Sequence, residues 1–124
     1  MVVTVYAHFT SRPFYGMPAE YWLILSVAQE FFFSGFVYGH LCKLWGAPEM
    51  GWRGAFAWPM LLTPLLFASW HWQNARWLPT SYFLFQLLYT ALGGWWSLNL
   101  RRWTGSIWFN VAQHVAVNWL ASIL

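Results

Sequence analysis

Along this chain, polar and apolar positions separate into four long apolar blocks joined by short polar or turn-rich segments. A helix crossing roughly 30 Å of hydrocarbon needs about 20 mostly apolar residues, and all four blocks are that long or nearly so. The first runs from about Glu20 to Trp45 and stops at Gly46-Ala47-Pro48-Glu49-Met50-Gly51. The second, about Gly54 to Trp72, contains Pro59 and Pro64. Membrane helices tolerate such prolines because neighbouring helices and Ser/Thr side chains satisfy the freed carbonyls. The third, about Thr80 to Leu100, follows Pro79, and the fourth, about Gly105 to Leu124, follows Arg101-Arg102. Gly105-Ser106 is expected to form the turn that starts the last helix, since Ser or Thr just ahead of an apolar run is a start signal. No linker or low-complexity tract divides the chain. The pattern predicts an all-α polytopic membrane protein, a single domain over residues 1–124 with four transmembrane helices.

Composition points the same way. Apolar residues make up 60% of the chain and charged residues 7%, too few to cover a soluble surface. The 12 Trp and 6 Tyr suit the membrane–water interface. A net charge of +3, scattered over short connections, gives no patch for nucleic acid and at most a mild preference for anionic lipid. Lys43, Arg53, Arg101 and Arg102 fall in the first and third connections, and only Arg12 and Arg76 elsewhere, so the positive-inside rule places both termini outside the cytoplasm. The single Cys42 excludes an internal disulfide. Met1 to Tyr21 lacks a compact apolar core with a small-residue cleavage site and is expected to be mature, interfacial chain.

Ionisable groups inside spans are costly, about 2.5–3.5 kcal/mol each, so each asks for a reason. Glu30, preceded by Gln29, lies inside the first span; His71 closes the second; His114 and Asn118 lie in the fourth. His114 and Asn118 are four apart and share a helix face, as do Phe67 and His71. If the three helices converge, Glu30, His71, His114 and Asn118 form one polar cluster in an apolar bundle. Each taken singly is also explained as an interhelical hydrogen bond worth about 1 kcal/mol or less. His40 reads as structural, and nothing singles out His8.

These residues resemble a known family. Phe67-Ala68-Ser69-Trp70-His71 is similar to the F-x-x-x-H motif of the CPBP group, the glutamic-type intramembrane proteases that include CAAX-processing and bacteriocin-processing enzymes. Thr104-Gly105-Ser106-Ile107-Trp108 leading into His114-Val115-Ala116-Val117-Asn118 resembles the family's T-G-S-I/L-W turn and H-x-x-x-N/D helix. The likeness extends from about Gln29 to Leu124 and implies the four-helix core of that family. Its first motif, E-E-x-x-x-R followed by Gly, corresponds to Gln29-Glu30-Phe31-Phe32-Phe33-Ser34-Gly35. The second Glu and the Gly are in place; the first Glu is Gln29 and the Arg is Ser34.

The resemblance implies that the first Glu and the motif-two His (here His71) activate water, while His114 and Asn118 stabilise the oxyanion. Gln29 is an amide and cannot act as a general base. With Ser34 in place of Arg, Glu30 is expected to lack a nearby cation, and burial then favours its neutral form, a donor and not a base. The leading reading is therefore a degenerate protease-like membrane protein that binds other membrane subunits or a membrane-embedded peptide. It would sit, multi-pass, in a bacterial cytoplasmic membrane or its equivalent. The alternative is a working endopeptidase using Glu30 and His71. A further alternative is a haem- or chlorophyll-type pigment held by intramembrane imidazoles. No metal ligand set is expected, because neither His motif carries a ligand pair at metal spacing.

Overall fold

The computed structural model describes residues 19–76 and 79–123, so the expected interfacial segment, with His8 and Arg12, lies outside the described residues. All the regular structure described is helical, as the apolar blocks predict. Helix α1 (Ala19–Glu30) runs without a break into a π-helical segment (Phe31–Val37) and then into α2 (Tyr38–Trp45). Gly46, at φ 86°, ends this run in a conformation that glycine adopts without a Cβ penalty. A single 3₁₀ turn (Gly54–Phe56) precedes α3 (Trp58–Ser69), which continues as 3₁₀ helix through Trp70–Arg76. Helices α4 (Thr80–Thr104) and α5 (Trp108–Ile123) complete the chain.

Two boundaries differ from the sequence expectation, each for a local reason. Ala57 is extended (φ −65°, ψ 152°), so α3 starts at Trp58 and Pro59 lies in the first turn, where its missing N–H costs nothing. Only Pro64 is internal to α3. Helix α4 passes the expected end at Leu100 and takes Arg101 and Arg102 into its last turn, where cations suit the negative end of the macrodipole. The left-handed Gly105 (φ 68°) caps it, donating its N–H to Arg101 O at 2.7 Å. Ser106 then accepts from Trp108 N at 3.3 Å, the expected turn into the last helix.

Helix α5 packs against both α1 and α4, and α3 lies along α4. The α3–α4 approach is close at Gly94, where a Cβ would meet Pro64 Cβ at 3.1 Å and Phe67 Cδ1 at 3.2 Å. Small residues at such crossings let helix backbones come together. The buried positions are as often polar as apolar, unlike those of a water-soluble bundle. Ser26, Glu30, Ser34, Thr63, Gln86, Thr90, Ser97, Asn99 and Asn110 are buried, whereas Ile24, Phe36, Leu65, Leu88 and many Trp are exposed. The hydrophobic core is a small cluster of Tyr38, Met60 and Leu98 with Cys42 against it. Among the described residues, no helix is by itself long and apolar enough to cross a membrane.

Candidate functional site

The site lies where α1 and α5 run side by side. Two stripes with four-residue spacing face each other: Ser26, Glu30 and Ser34 on the first helix, Asn110, His114 and Asn118 on the last. Four residues are slightly more than a turn, so each stripe stays on one face for two turns. The helices pair the stripes in opposite directions. Asn118 Nδ2 donates to Ser26 Oγ at 3.0 Å, and His114 Nδ1 lies 2.9 Å from Glu30 Oε1. The next rung in this register brings Asn110 level with Ser34, and Ile107 sits near Gly35, whose absent Cβ would lie 3.4 Å from Ile107 Cδ1.

Glu30 is 5% exposed and both its oxygens are engaged. With the carboxylate accepting, Nδ1–H of His114 donates to Oε1 and the Ser34 hydroxyl donates to Oε2 at 2.5 Å. Where the motif's Arg would stand, Ser34 supplies a hydrogen bond to Glu30 instead of a cation. The second partner, His114, comes from a helix 84 positions away in sequence. The π-helical segment begins one residue after Glu30 and contains Ser34 and Gly35. Such wide turns inside α-helices occur frequently at functional sites.

His71 is not joined to Glu30. Its Nδ1–H donates to Phe67 O, one turn back on its own helix, at 3.3 Å, which leaves Nε2 as the lone-pair nitrogen of the neutral ring. His40 does the same with Phe36 O at 2.9 Å, a purely local arrangement. Phe67 is the hub between the histidines: its ring centroid lies 5.6 Å from that of His71 and 5.8 Å from that of His114, both edge to face. Phe33 packs on the same ring at 5.1 Å. The F-x-x-x-H spacing thus places His71 against the same aromatic ring that His114 packs on.

The structure therefore brings Glu30, His114 and Asn118 into one polar seam and leaves His71 beside it, in ring contact with Phe67. Gln29 is half-buried, one residue from the seam. Sequence reasoning missed Ser26 and Asn110, both 0% exposed. The signal was present, since each stands four residues from a residue already singled out. A pair of small polar residues is, however, too common to mark a site without its partner helix. Asn110 has neither amide atom hydrogen-bonded, and Gln113 Oε1 is likewise buried without a partner. Among the described residues, no group of three or more His, Cys, Asp or Glu is placed to hold a metal ion.

The comparisons with known proteins agree with the motifs. The model of the type II CAAX prenyl endopeptidase Rce1-like family matches residues 12–120, and the chain belongs to that family. No curated protein and no solved structure matches the chain.

Proposed function

We propose that this chain is a multi-pass membrane protein that uses the CAAX endopeptidase-like fold to bind, without cleaving, a membrane-embedded peptide or partner subunit. The observation that carries the reading is the engagement of Glu30. Its two oxygens are taken by His114 and Ser34, while the neighbouring base position holds Gln29, and His71 is turned to its own helix. A general base must reach the water it deprotonates with a titrating group, and an amide cannot serve. What remains is a set of buried hydrogen-bonding groups, suited to recognition.

Membrane insertion is supported by the pattern of burial and by the family. Buried Ser, Thr, Gln, Asn and Glu with Phe, Leu and Trp outside is the arrangement that hydrocarbon surroundings favour, because polar groups there must be satisfied within the bundle. Individually the α-helices Ala19–Glu30 and Tyr38–Trp45 are short, but with the π segment they form one continuous rod. At 1.5 Å per residue that rod is roughly 40 Å long, enough to cross a bilayer.

The test rebuilds the motif. Wild type should bind a labelled prenylated peptide and leave it intact, whereas Gln29→Glu with Ser34→Arg should release product. A restored base can be worth about 10²–10⁴-fold. A second reading, an active endopeptidase, is favoured by one observation: the 2.9 Å Glu30–His114 contact is a carboxylate–imidazole pair of the kind that moves protons. If wild type cleaves the peptide and either Glu30→Ala or His114→Ala abolishes cleavage, that second reading replaces the first.

A further inference from the structure

The six bases look scattered in sequence, but the fold gathers four of them. Lys43 ends α2, Arg53 precedes the Gly54–Phe56 turn, and Arg101 and Arg102 end α4. These elements meet at one end of the bundle. The Arg102 guanidinium donates from Nη1 to Glu49 O at 3.2 Å, and Arg101 lies over the Tyr38 ring with Cζ 5.0 Å from its centroid. Tyr38 is itself fixed in the Tyr38–Met60–Leu98 cluster. Arg102 and the Glu49 carbonyl approach Gly54 so closely that a Cβ there would overlap both. Both guanidiniums are therefore held from one side.

One further donor of each guanidinium is buried without a partner. Among the described residues, the donors Arg101 Nη1 and Arg102 Nε are buried with no acceptor, the Ser97 Oγ hydroxyl has no partner, and the amide oxygen Asn99 Oδ1 has no donor. The one ion pair among the described residues is His114–Glu30, in the seam already described. Glu49, the acid at this end, offers its backbone carbonyl to Arg102. A buried cationic N–H without an acceptor is costly, and the guanidinium fork is shaped for bidentate oxygen acceptors. Two forks fixed on separate supports call for an anion with oxygens in several directions, which phosphate has and a planar carboxylate lacks. Trp45, Trp52 and Trp103, all strongly exposed, ring the same end. Tryptophan at that density belongs to the headgroup level of a membrane.

We propose that this end of the bundle binds a phosphate group, with Arg101 and Arg102 as its donors. The phosphate is carried by an anionic phospholipid headgroup or is free in solution. The lipid source rests on the membrane reading above; the phosphate chemistry does not.

The experiment uses the full chain. Flotation with phosphatidylcholine vesicles first tests insertion: failure to float overturns the membrane reading without touching the anion site. Native mass spectrometry then compares retention of phosphatidylglycerol with that of phosphatidylcholine, whose ammonium is repelled by the four bases. Phosphatidylglycerol should be preferred about tenfold, and Arg101→Gln or Arg102→Gln should each remove most of that preference. Arg102→Lys keeps the charge but not the fork and should restore only part. Arg76→Gln, in the 3₁₀ segment at the other end, should change nothing. Inorganic phosphate that raises the unfolding temperature of the detergent-solubilised chain, with no preference between the two lipids, assigns the site to the free ion. Equal retention of both lipids together with no effect of phosphate overturns the proposal. So does an equal loss of preference on Lys43→Gln, which would reduce the effect to net charge. Circular dichroism checks each variant's helicity; if Arg101→Gln does not fold, Arg102→Gln and the wild-type lipid comparison decide.

Discussion

Two buried polar regions of this bundle contrast in how their hydrogen bonds close. In the α1–α5 seam, Ser26, Glu30, Ser34, His114 and Asn118 find partners on each other. At the end of α4, Ser97, Asn99, Arg101 and Arg102 each keep at least one buried atom without a partner. Most of the seam's hydrogen bonds close between α1 and α5 and so hold the two helices together, whereas the α4 end keeps buried polar atoms without a partner among the described residues. Asn110 is the exception within the seam, buried in the next rung beyond Glu30 yet unpaired through both amide atoms. Removing one member of a closed set leaves a desolvated donor or acceptor behind, whereas removing an unpartnered group relieves that cost. The two regions should thus respond oppositely to the same kind of substitution.

The largest effect is expected at Glu30. Glu30→Ala leaves the His114 N–H and the Ser34 hydroxyl without their acceptor and should lower stability by about 2–3 kcal/mol, read from unfolding in detergent. The double change Glu30→Leu with His114→Leu should cost clearly less than the two single changes added together, because members of one network couple. Additive losses would show that the pair is not a unit, and the contrast between the regions would lose its basis. Next comes the outer rung. Asn118→Leu should cost about 1 kcal/mol, and adding Ser26→Ala should recover part of it by removing the stranded hydroxyl; a further loss in the double variant would break the rung. The smallest effect is at the other region, where Ser97→Ala should be neutral or stabilising by a few tenths of a kcal/mol. A loss of 1 kcal/mol or more there, in lipid-free detergent, would mean that Ser97 has a partner within the fold.

Much of this was legible along the chain because it is local. Apolar blocks of helical length mark the helices, and Gly105-Ser106 marks a helix boundary because a left-handed cap and an N-cap hydroxyl are needed there. The i, i+4 pairing of Phe67 with His71 and of His114 with Asn118 is likewise a property of one helix, so spacing revealed it. The family motifs added Gln29 and Ser34 as departures, and the family match agrees with that reading.

What the sequence by itself determined is therefore the helices, their approximate limits and which polar residues each one presents. Which of those residues meet was decided by tertiary structure alone. Glu30 pairs with His114 and not with His71, because α5 runs beside α1 in a register that matches two four-residue stripes, while His71 Nδ1–H is taken by Phe67 O on its own helix. Ser34 reads as the loss of a cation in sequence and becomes a donor to Glu30 in space, since a hydroxyl one turn away is within reach of the carboxylate. The bases at positions 43, 53, 101 and 102, scattered along the chain, come together because the chain passes the same end of the bundle twice. Hydrogen bonds and charge pairs reach only a few ångströms, so their partners are fixed by how the helices pack, and that depends on residues far apart in sequence.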